Sequence, residues 1–308
     1  MKVGFIGLGT MGGGMALNVR KAGHEVVVHD LRREAGERHI AAGCAWADTP
    51  RRVAESSEVV LTSLPGPPEV EAVALGEGGL LAGMAAGSAW FDLSTNSPTL
   101  LRRLNERFAA KGVAVLDAPV SGGPAGANSG RLAIWVGGDK AVFERCKPVL
   151  DAMGDQVMYI GPVGAGAVAK LVHNCAGYAI QAALAEVMTL GVKAGVDPLT
   201  LWAAIRQGAQ GRRRAFDSLG GSFLRGEFDP ASFALRLAHK DVTLATELGR
   251  EMKVPMRVAN LALEELTEAM NRGWGGRDSR VAMLLQEERA GVEIKVPAEK
   301  IQAVLDSG

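Results

Sequence analysis

A glycine-rich motif near the N-terminus has the spacing of a pyrophosphate-binding turn. It reads G-x-G-x-x-G, follows the apolar run Val3–Gly7 and opens a helical pattern. In such a turn the first glycine makes a tight bend, the second lets the backbone approach the phosphates, and the third lets the helix lie close to the strand. The phosphates then meet the unpaired N–H groups at the helix N-terminus. The motif consists of Gly7, Leu8, Gly9, Thr10, Met11 and Gly12.

An acidic residue lies at the expected distance from this motif. Asp30 ends the next apolar run, 18 residues after Gly12. Its carboxylate can accept hydrogen bonds from the adenosine ribose hydroxyls of NAD, and it would repel the 2′-phosphate of NADP. Arg32 and Arg33 follow directly, and an arginine at this place usually accommodates that phosphate. The sequence therefore predicts a dinucleotide site that favours NAD and leaves NADP open.

A lysine lies on an apolar helical pattern further along the chain. At about 100° per residue, Lys170, Asn174, Gly177 and Gln181 fall on one narrow stripe of a helix whose other faces are mainly apolar. Polar groups on a buried helix need polar partners. A cleft that holds a polar ligand would supply them.

Composition and charge exclude several other classes of function. The 308-residue chain carries 34 Lys and Arg against 34 Asp and Glu, so no net charge attracts nucleic acid or an anionic membrane surface. The three scattered cysteines, Cys44, Cys146 and Cys175, indicate a reducing compartment and have no metal-binding spacing. Neither a signal segment nor a stretch long enough to span a bilayer is apparent. We expect a cytoplasmic protein that acts on a small molecule and needs no metal.

The first half of the chain has the pattern of a parallel sheet covered by helices, because short apolar runs alternate with longer helical patterns. The predicted strands are Val3–Gly7, Glu25–Asp30, Glu58–Leu64, Ser88–Leu93, Val113–Asp117, Leu132–Val136 and Gln156–Ile160. The predicted helices between them are Met11–Ala22, Arg33–Ala42, Glu69–Leu75, Ser97–Ala110 and Lys140–Met153.

The second half of the chain is predicted to be all-helical. Strand patterns stop at Gly161-Pro162, a dipeptide that interrupts regular structure. The predicted helices span about 165–195, 198–207, 233–252, 257–272 and 298–306. We therefore predict an α/β Rossmann-type domain over residues 1–163 and an all-α domain over residues 164–308.

Four separated segments, taken together, resemble the β-hydroxyacid dehydrogenase family, which includes 3-hydroxyisobutyrate dehydrogenase and tartronate semialdehyde reductase. They are Val3–Gly14, Asp117–Gly123, Gly164–Asn174 and the pair Lys240-Asp241. The resemblance covers essentially the whole chain. It implies a dinucleotide-binding domain and a helical domain joined by a long helix, with the substrate in the cleft between them, in a homodimer or homotetramer.

The resemblance also implies roles for individual residues. Lys170 corresponds to the catalytic lysine, which must be neutral to accept the hydroxyl proton while hydride leaves for the nicotinamide. Substrate-binding residues are implied at Ser121, Gly122, Gly123 and Asn174. Cofactor-binding residues beyond the glycine turn and Asp30 are implied at Leu64, Pro65, Thr95 and Lys240.

Some features leave alternatives open. The pair His173-Asn174 is more similar to the corresponding residues of 6-phosphogluconate dehydrogenase than to the commoner pattern of the family. Gly177, however, lies where that enzyme has its second acid, which favours alcohol oxidation without decarboxylation. Residues 212–214, three arginines, could recognise a second anionic group or form a solvated basic segment. The leading hypothesis is an NAD-dependent 3-hydroxyacid dehydrogenase or semialdehyde reductase. The alternatives are an NADP-dependent glyoxylate, succinic semialdehyde or tartronate semialdehyde reductase, and a catalytically silent dinucleotide-binding oligomerisation module.

Overall fold

The chain divides by its contacts into two units, Met1–Leu171 and Val172–Gly308. The computed structural model describes residues 1–193, 195–208, 217–251, 253 and 255–306. The sequence places the domain border between residues 163 and 164, whereas the contacts divide the chain after Leu171.

A sheet of nine strands, counted over the described residues, forms the centre of the first unit. The strands are β1 Lys2–Ile6, β2 Glu25–His29, β3 Ala45–Trp46, β4 Val59–Thr62, β5 Ala89–Asp92, β6 Ala114–Asp117, β7 Val120–Ser121, β8 Ala133–Gly137 and β9 Gln156–Gly161. Their spatial order is β3-β2-β1-β4-β5-β6-β8-β7, with β9 paired to β8. The first six strands in this spatial order, β3, β2, β1, β4, β5 and β6, are parallel. Strand β8 runs antiparallel to β6 and β7.

The strand order reverses at β1, because β2 pairs with one side of β1 and β4 with the other. This order is that of the doubly wound dinucleotide-binding sheet, in which ligands bind outside the carboxyl ends of the strands at the reversal. Since β1, β4, β5 and β6 are mutually parallel, the segments that follow them lie at one edge of the sheet. The predicted Rossmann-type fold is thus confirmed for this unit.

Helices cover both faces of the sheet. They are α1 Gly12–Lys21, α2 Glu37–Ala41, α3 Pro50–Glu55, α4 Pro67–Leu75, α5 Leu80–Gly83, α6 Pro98–Ala109, α7 Gly123–Ser129 and α8 Lys140–Asp151. Successive side chains of a strand point to opposite faces, so Val3 and Phe5 of β1 enter one apolar cluster and Ile6 enters another. All three side chains are buried.

The second unit is helical, as predicted. Its helices, together with the long helix within which the division falls, are α9 Ala165–Lys193, α10 Pro198–Gln207, α11 Leu235–Glu251, α12 Arg257–Asn271, α13 Leu284–Ala290 and α14 Ala298–Asp306. Their core contains the fully buried side chains of Trp202, Phe223 and Leu235. Among the described residues, no helix has the length and apolar character that crossing a membrane requires.

Most predicted elements agree with the structure to within a few residues, and the missed ones are short. The strands β3 and β7 have two residues each. Helix α3 starts with a Thr49 cap and a proline, two residues that are typical of a helix start. Helix α7 has the sequence GPAGANS, whose composition is typical of a loop. Its carbonyl at Ala127 accepts a hydrogen bond from Asn18 of α1 at 2.8 Å, so tertiary contact stabilises it.

Candidate active site

The turn between β1 and α1 has the geometry that its glycines predict. Gly7 has φ of +93°, a conformation that side chains rarely adopt. A Cβ atom on Gly12 would lie 1.9 Å from the Gly7 carbonyl oxygen, so only glycine lets helix and strand approach this closely. At Gly9, by contrast, an added Cβ would meet no atom within 4 Å. The turn is therefore tightly packed on its inner side and open at Gly9.

Asp30 lies directly after β2 and contacts this turn. One carboxylate oxygen accepts a hydrogen bond from the Leu8 N–H at 2.8 Å, and the other accepts one from the Arg32 N–H at 2.9 Å. The two bonds orient a half-exposed carboxylate beside the turn. No side chain caps α1 among the described residues, so the positive end of the helix dipole can attract an anion, while the Gly13 N–H donates to the Gly9 carbonyl oxygen at 3.0 Å. A charged acceptor beside an open turn and an uncapped helix fits the ribose and pyrophosphate of a dinucleotide.

The two arginines after Asp30 differ in their surroundings. The Arg33 guanidinium lies 4.4 Å from the centroid of the Trp46 ring, the geometry of a cation–π contact. The Trp46 indole N–H in turn donates to Asp48 at 2.6 Å. Arg32 is exposed, and its backbone contacts Asp30. The local structure therefore holds the Arg33 side chain on an aromatic ring.

A buried carboxylate organises the segments after β4 and β5, which contain Leu64, Pro65 and Thr95. Asp92 accepts hydrogen bonds from the Thr62 hydroxyl at 2.9 Å and from the Asn96 amide at 2.7 Å. The Leu64 N–H donates to the Ser94 hydroxyl at 2.9 Å, which ties one segment to the other. Burial raises the pKa of Asp92, and the surrounding hydrogen bonds oppose that rise.

The predicted substrate segment lies at the start of α7. Ser121 is the last residue of β7 and is half-buried, whereas Gly122 and Gly123 are exposed. Gly123 is the first residue of α7, and Gly122 precedes it. Two adjacent glycines at a helix start leave their backbone N–H groups accessible to a carboxylate.

A second buried carboxylate lies next to Asp92 and contacts the start of α9. Asp117 ends β6 and pairs in register with Asp92 of β5. Its carboxylate accepts hydrogen bonds from the N–H groups of Gly164 at 2.6 Å and Ala167 at 2.7 Å. Burial raises the pKa of Asp117 to about 6, against the lowering effect of these bonds. Lys170, half-buried, follows one turn later on the same helix.

In the second unit, a carboxylate that the sequence analysis did not select contacts two predicted site residues. Asp241 of α11 is 1% exposed. One of its oxygens accepts a hydrogen bond from the Asn174 amide at 2.5 Å, and the other lies 3.0 Å from the Lys240 ammonium. Burial of the Tyr178 side chain raises the pKa of its hydroxyl, and the negative charge of Asp241 raises that pKa further. The adjacent Lys-Asp pair was the sequence signal for this residue.

The remaining predicted positions on α9 are polar or open, as the stripe implies. The Gln181 amide donates to the Ser279 carbonyl oxygen at 3.3 Å. Gly177 is exposed, and a Cβ added there would meet nothing within 4 Å. The three arginines at 212–214 lie outside the described residues. Among the residues that are described, no cluster of His, Cys, Asp and Glu could hold a metal ion.

Comparison with known proteins agrees with this geometry. Residues 2–161 match the model of the NAD-binding domain of 6-phosphogluconate dehydrogenase. Residues 164–286 match the model described as NAD-binding of NADP-dependent 3-hydroxyisobutyrate dehydrogenase.

Individual relatives align over most of their length. The chain is 36% identical over 294 residues to 2-(hydroxymethyl)glutarate dehydrogenase of Eubacterium barkeri, covering 96% of this chain and 97% of the relative. It is 40% identical over 258 residues to 3-hydroxyisobutyrate dehydrogenase of Pseudomonas aeruginosa, covering 79% and 83% respectively. The crystal structure of 3-hydroxyisobutyrate dehydrogenase from Salmonella typhimurium is similar with a TM-score of 0.82 at 29% identity, covering 92% of this chain and 99% of that one.

The fold and the site define an oxidoreductase that uses a nicotinamide dinucleotide and acts on a CH–OH group. The chain belongs to the β-hydroxyacid dehydrogenase family.

Proposed function

We propose that the protein transfers a hydride between NAD and a small 3-hydroxy acid, similar to 3-hydroxyisobutyrate, with Lys170 as the general acid and base. The observation that carries this proposal is the place of Lys170. It lies in the second turn of α9, a helix whose start is hydrogen-bonded to the end of β6, at the sheet edge where the dinucleotide turn also lies. Ligands of doubly wound sheets bind at this edge.

The glycine turn and Asp30 hold the dinucleotide in this proposal. The N–H groups at the start of α1 bind the pyrophosphate, and the Asp30 carboxylate, fixed by Leu8 and Arg32, accepts the ribose hydroxyls. When bound, the nicotinamide ring supplies the hydride acceptor in oxidation and the hydride donor in reduction. Leu64, Pro65, Thr95 and Lys240 are proposed to complete the cofactor site.

Lys170 moves the proton that accompanies the hydride. In oxidation its neutral amine accepts the hydroxyl proton as the carbon–hydrogen bond breaks and the carbonyl forms. In reduction its ammonium returns a proton to the alkoxide oxygen. Ser121 and the N–H groups at Gly122 and Gly123 are proposed to bind the substrate carboxylate, and Asn174 to donate to the substrate.

A reductase that uses NADP is the second candidate. The basic residues Arg32 and Arg33 favour it, because an exposed guanidinium after β2 can pair with a 2′-phosphate. The fixed Asp30 carboxylate supports NAD instead, because it would repel a 2′-phosphate. A catalytically silent binding module is the third candidate, and Lys170 argues against it, because a silent module needs no amine at this place.

The test compares wild type with Lys170→Met. Purified protein is assayed with a panel of 3-hydroxy acids and semialdehydes, with NAD and NADP in parallel, by the absorbance of the reduced cofactor. We expect turnover with a 3-hydroxy acid, and a loss of about 10³-fold or more in kcat for Lys170→Met, since general acid–base catalysis contributes about 10²–10⁴-fold. Dinucleotide affinity should remain within about threefold of wild type, a difference below 1 kcal/mol.

Lys147→Met is the matched control, because Lys147 pairs with Asp151 on the exposed face of α8. It removes the same charge from the same unit and should leave kcat unchanged. Equal turnover in Lys170→Met and wild type would contradict the proposed mechanism.

A further inference from the structure

Asp117 provides the first turn of α9 with a cap that comes from a distant part of the chain. The first N–H groups of any helix lack partners within the helix. Here the N–H groups of Gly164 and Ala167 both donate to the Asp117 carboxylate, one to each oxygen, at 2.6 and 2.7 Å. The donors and acceptor are 47 and 50 residues apart. A strand end thus determines where the helix begins.

Two glycines allow the helix start to approach the carboxylate this closely. A Cβ on Gly166 would lie 2.3 Å from the Trp135 carbonyl oxygen and 2.9 Å from an Asp117 carboxylate oxygen. A Cβ on Gly137 would lie 2.7 Å from the Pro162 carbonyl oxygen and 2.8 Å from the other Asp117 oxygen. With any other residue at either position, the helix start and the ends of β6 and β8 would have to move apart.

Capping a helix with a buried carboxylate is energetically unfavourable compared with capping it with an exposed one. Asp117 is fully buried, and burial raises its pKa to about 6, so removing its charge from water opposes folding at neutral pH. Helix α8 in the same unit shows the ordinary solution, since the exposed Asp139 caps it through the Val142 N–H at 2.9 Å. A buried cap restrains the helix start much more tightly than an exposed one, because packed atoms surround its bonds.

We infer that Asp117 is a positioning residue for Lys170. It holds the first turn of α9, three residues before Lys170, and so keeps the Lys170 amine at the carboxyl edge of the sheet. This inference rests on the proposed function, in which Lys170 is the general acid and base. Asp117 acts through the helix backbone and takes no part in the chemistry. A misplacement of about 1 Å can cost about 10²-fold in rate, so the effect should appear in turnover.

The experiment uses the full chain with Asp117→Asn and Asp117→Ala, and with Asp139→Ala as the matched control that removes an exposed cap. Asp117→Ala removes both acceptors, whereas Asp117→Asn keeps one. We expect kcat to fall by about 10- to 100-fold in Asp117→Ala and by less in Asp117→Asn, while the dissociation constant for the dinucleotide stays within about threefold. Asp139→Ala should keep the kcat of wild type.

A second readout does not depend on turnover. Native protein is labelled with acetic anhydride. The extent of acetylation at Lys170 relative to that at Lys147 is then measured by peptide mass spectrometry. If Asp117 positions Lys170, this ratio should change by about threefold or more in Asp117→Ala and should stay at the wild-type value in Asp139→Ala, because an amine reacts according to its surroundings. Should Asp117→Ala not fold, Asp117→Asn decides the question with both readouts.

The outcomes separate the two proposals. Equal turnover in wild type and Lys170→Met would refute the proposed function, and the labelling ratio would then decide on Asp117 alone. A folded Asp117 variant with wild-type kcat and a wild-type labelling ratio overturns the positioning role. A fall in kcat that is matched by an equal loss of dinucleotide affinity also overturns it, since that result indicates general damage to the unit.

Discussion

At the scale of single residues, buried or oriented carboxylates place the polar groups of the site. Asp30, Asp92, Asp117 and Asp241 each accept at least one hydrogen bond from a residue distant in sequence. Hydrogen bonds to a charged acceptor are stronger than neutral ones, and a carboxylate has two oxygens, so it can fix two elements at once. Replacing one of these carboxylates should therefore affect mainly the groups to which it is hydrogen-bonded.

Asp30→Ala should change the preference for the cofactor. Without the carboxylate, a ribose hydroxyl loses its acceptor and a 2′-phosphate meets no repulsion. We expect the ratio of kcat/KM for NADP to that for NAD to rise by about tenfold, equivalent to about 1.4 kcal/mol. Glu34→Ala, a change at an exposed carboxylate nearby, is the control. An unchanged ratio in Asp30→Ala would show that Asp30 serves only the turn.

Asn174→Ala should lower the free energy of unfolding by about 1–3 kcal/mol, because an oxygen of the buried Asp241 loses its donor. Urea denaturation measures the change. Gln181→Ala, which removes the longer 3.3 Å bond to Ser279, is the control and should cost less. A double-mutant cycle with Asp241→Ala, which removes both carboxylate oxygens, isolates the pair. Strict additivity of the two changes would contradict a direct interaction.

At the scale of elements, the contact between α1 and α7 links the dinucleotide turn to the predicted substrate segment. Gly14 of α1 lies so close to α7 that an added Cβ would be 2.5 Å from an Asn128 side-chain oxygen. Asn18, one turn later, donates to the Ala127 carbonyl oxygen. The helix that begins at the phosphate-binding turn therefore supports the helix that follows Ser121.

Asn18→Ala should loosen α7 without altering α1. The variant loses the 2.8 Å bond to the Ala127 carbonyl oxygen and the longer 3.4 Å bond to that of Asn128, so the free energy of unfolding should fall by about 1 kcal/mol. If Ser121 and its neighbours bind the substrate, KM for the hydroxy acid should rise while dinucleotide affinity stays at the wild-type value. Steady-state kinetics and equilibrium titration measure the two quantities. A loss of dinucleotide affinity alone would indicate that Asn18 supports the phosphate turn instead.

At the scale of the whole molecule, each unit contains a buried acid that makes stability depend on pH. Burial raises the pKa of Asp117 to about 6 in the first unit and that of Glu287 to about 7 in the second. A raised pKa means that the folded protein holds a proton which the unfolded chain has already lost. The contribution of each acid to the free energy of unfolding therefore falls as pH rises from about 4 to its folded pKa, and is constant above it.

Glu287→Gln should remove this dependence in the second unit. The free energy of unfolding of the variant minus that of wild type should be larger at pH 8 than at pH 5. We expect this increase to be roughly 2–3 kcal/mol, since one pKa unit corresponds to about 1.4 kcal/mol. Denaturant titrations at the two pH values measure the difference. Glu264→Gln, a change at an exposed glutamate of the same unit, should show none. A pH-independent difference for Glu287→Gln would contradict the raised pKa.

Sequence patterns predicted the parts of the molecule that depend on neighbours along the chain. The glycine turn, the strand–helix alternation and the change to an all-helical second unit were predicted because backbone conformation and the period of apolar residues are local properties. The confirmed family membership also followed from short motifs at fixed spacing. Helix α7 was missed, because its glycine-rich sequence predicts a loop and tertiary contacts, including the one with α1, stabilise the helix.

The sequence by itself determined the fold class, the cofactor class and the identity of the charged residues. Only the tertiary structure decided which groups these residues meet: Asp117 with the start of α9, and Asn174 with Asp241 across 67 residues. The physical reason is that the strength of a carboxylate's interactions depends on its burial and on the donors around it. Both are set by which elements pack together, which no local pattern encodes.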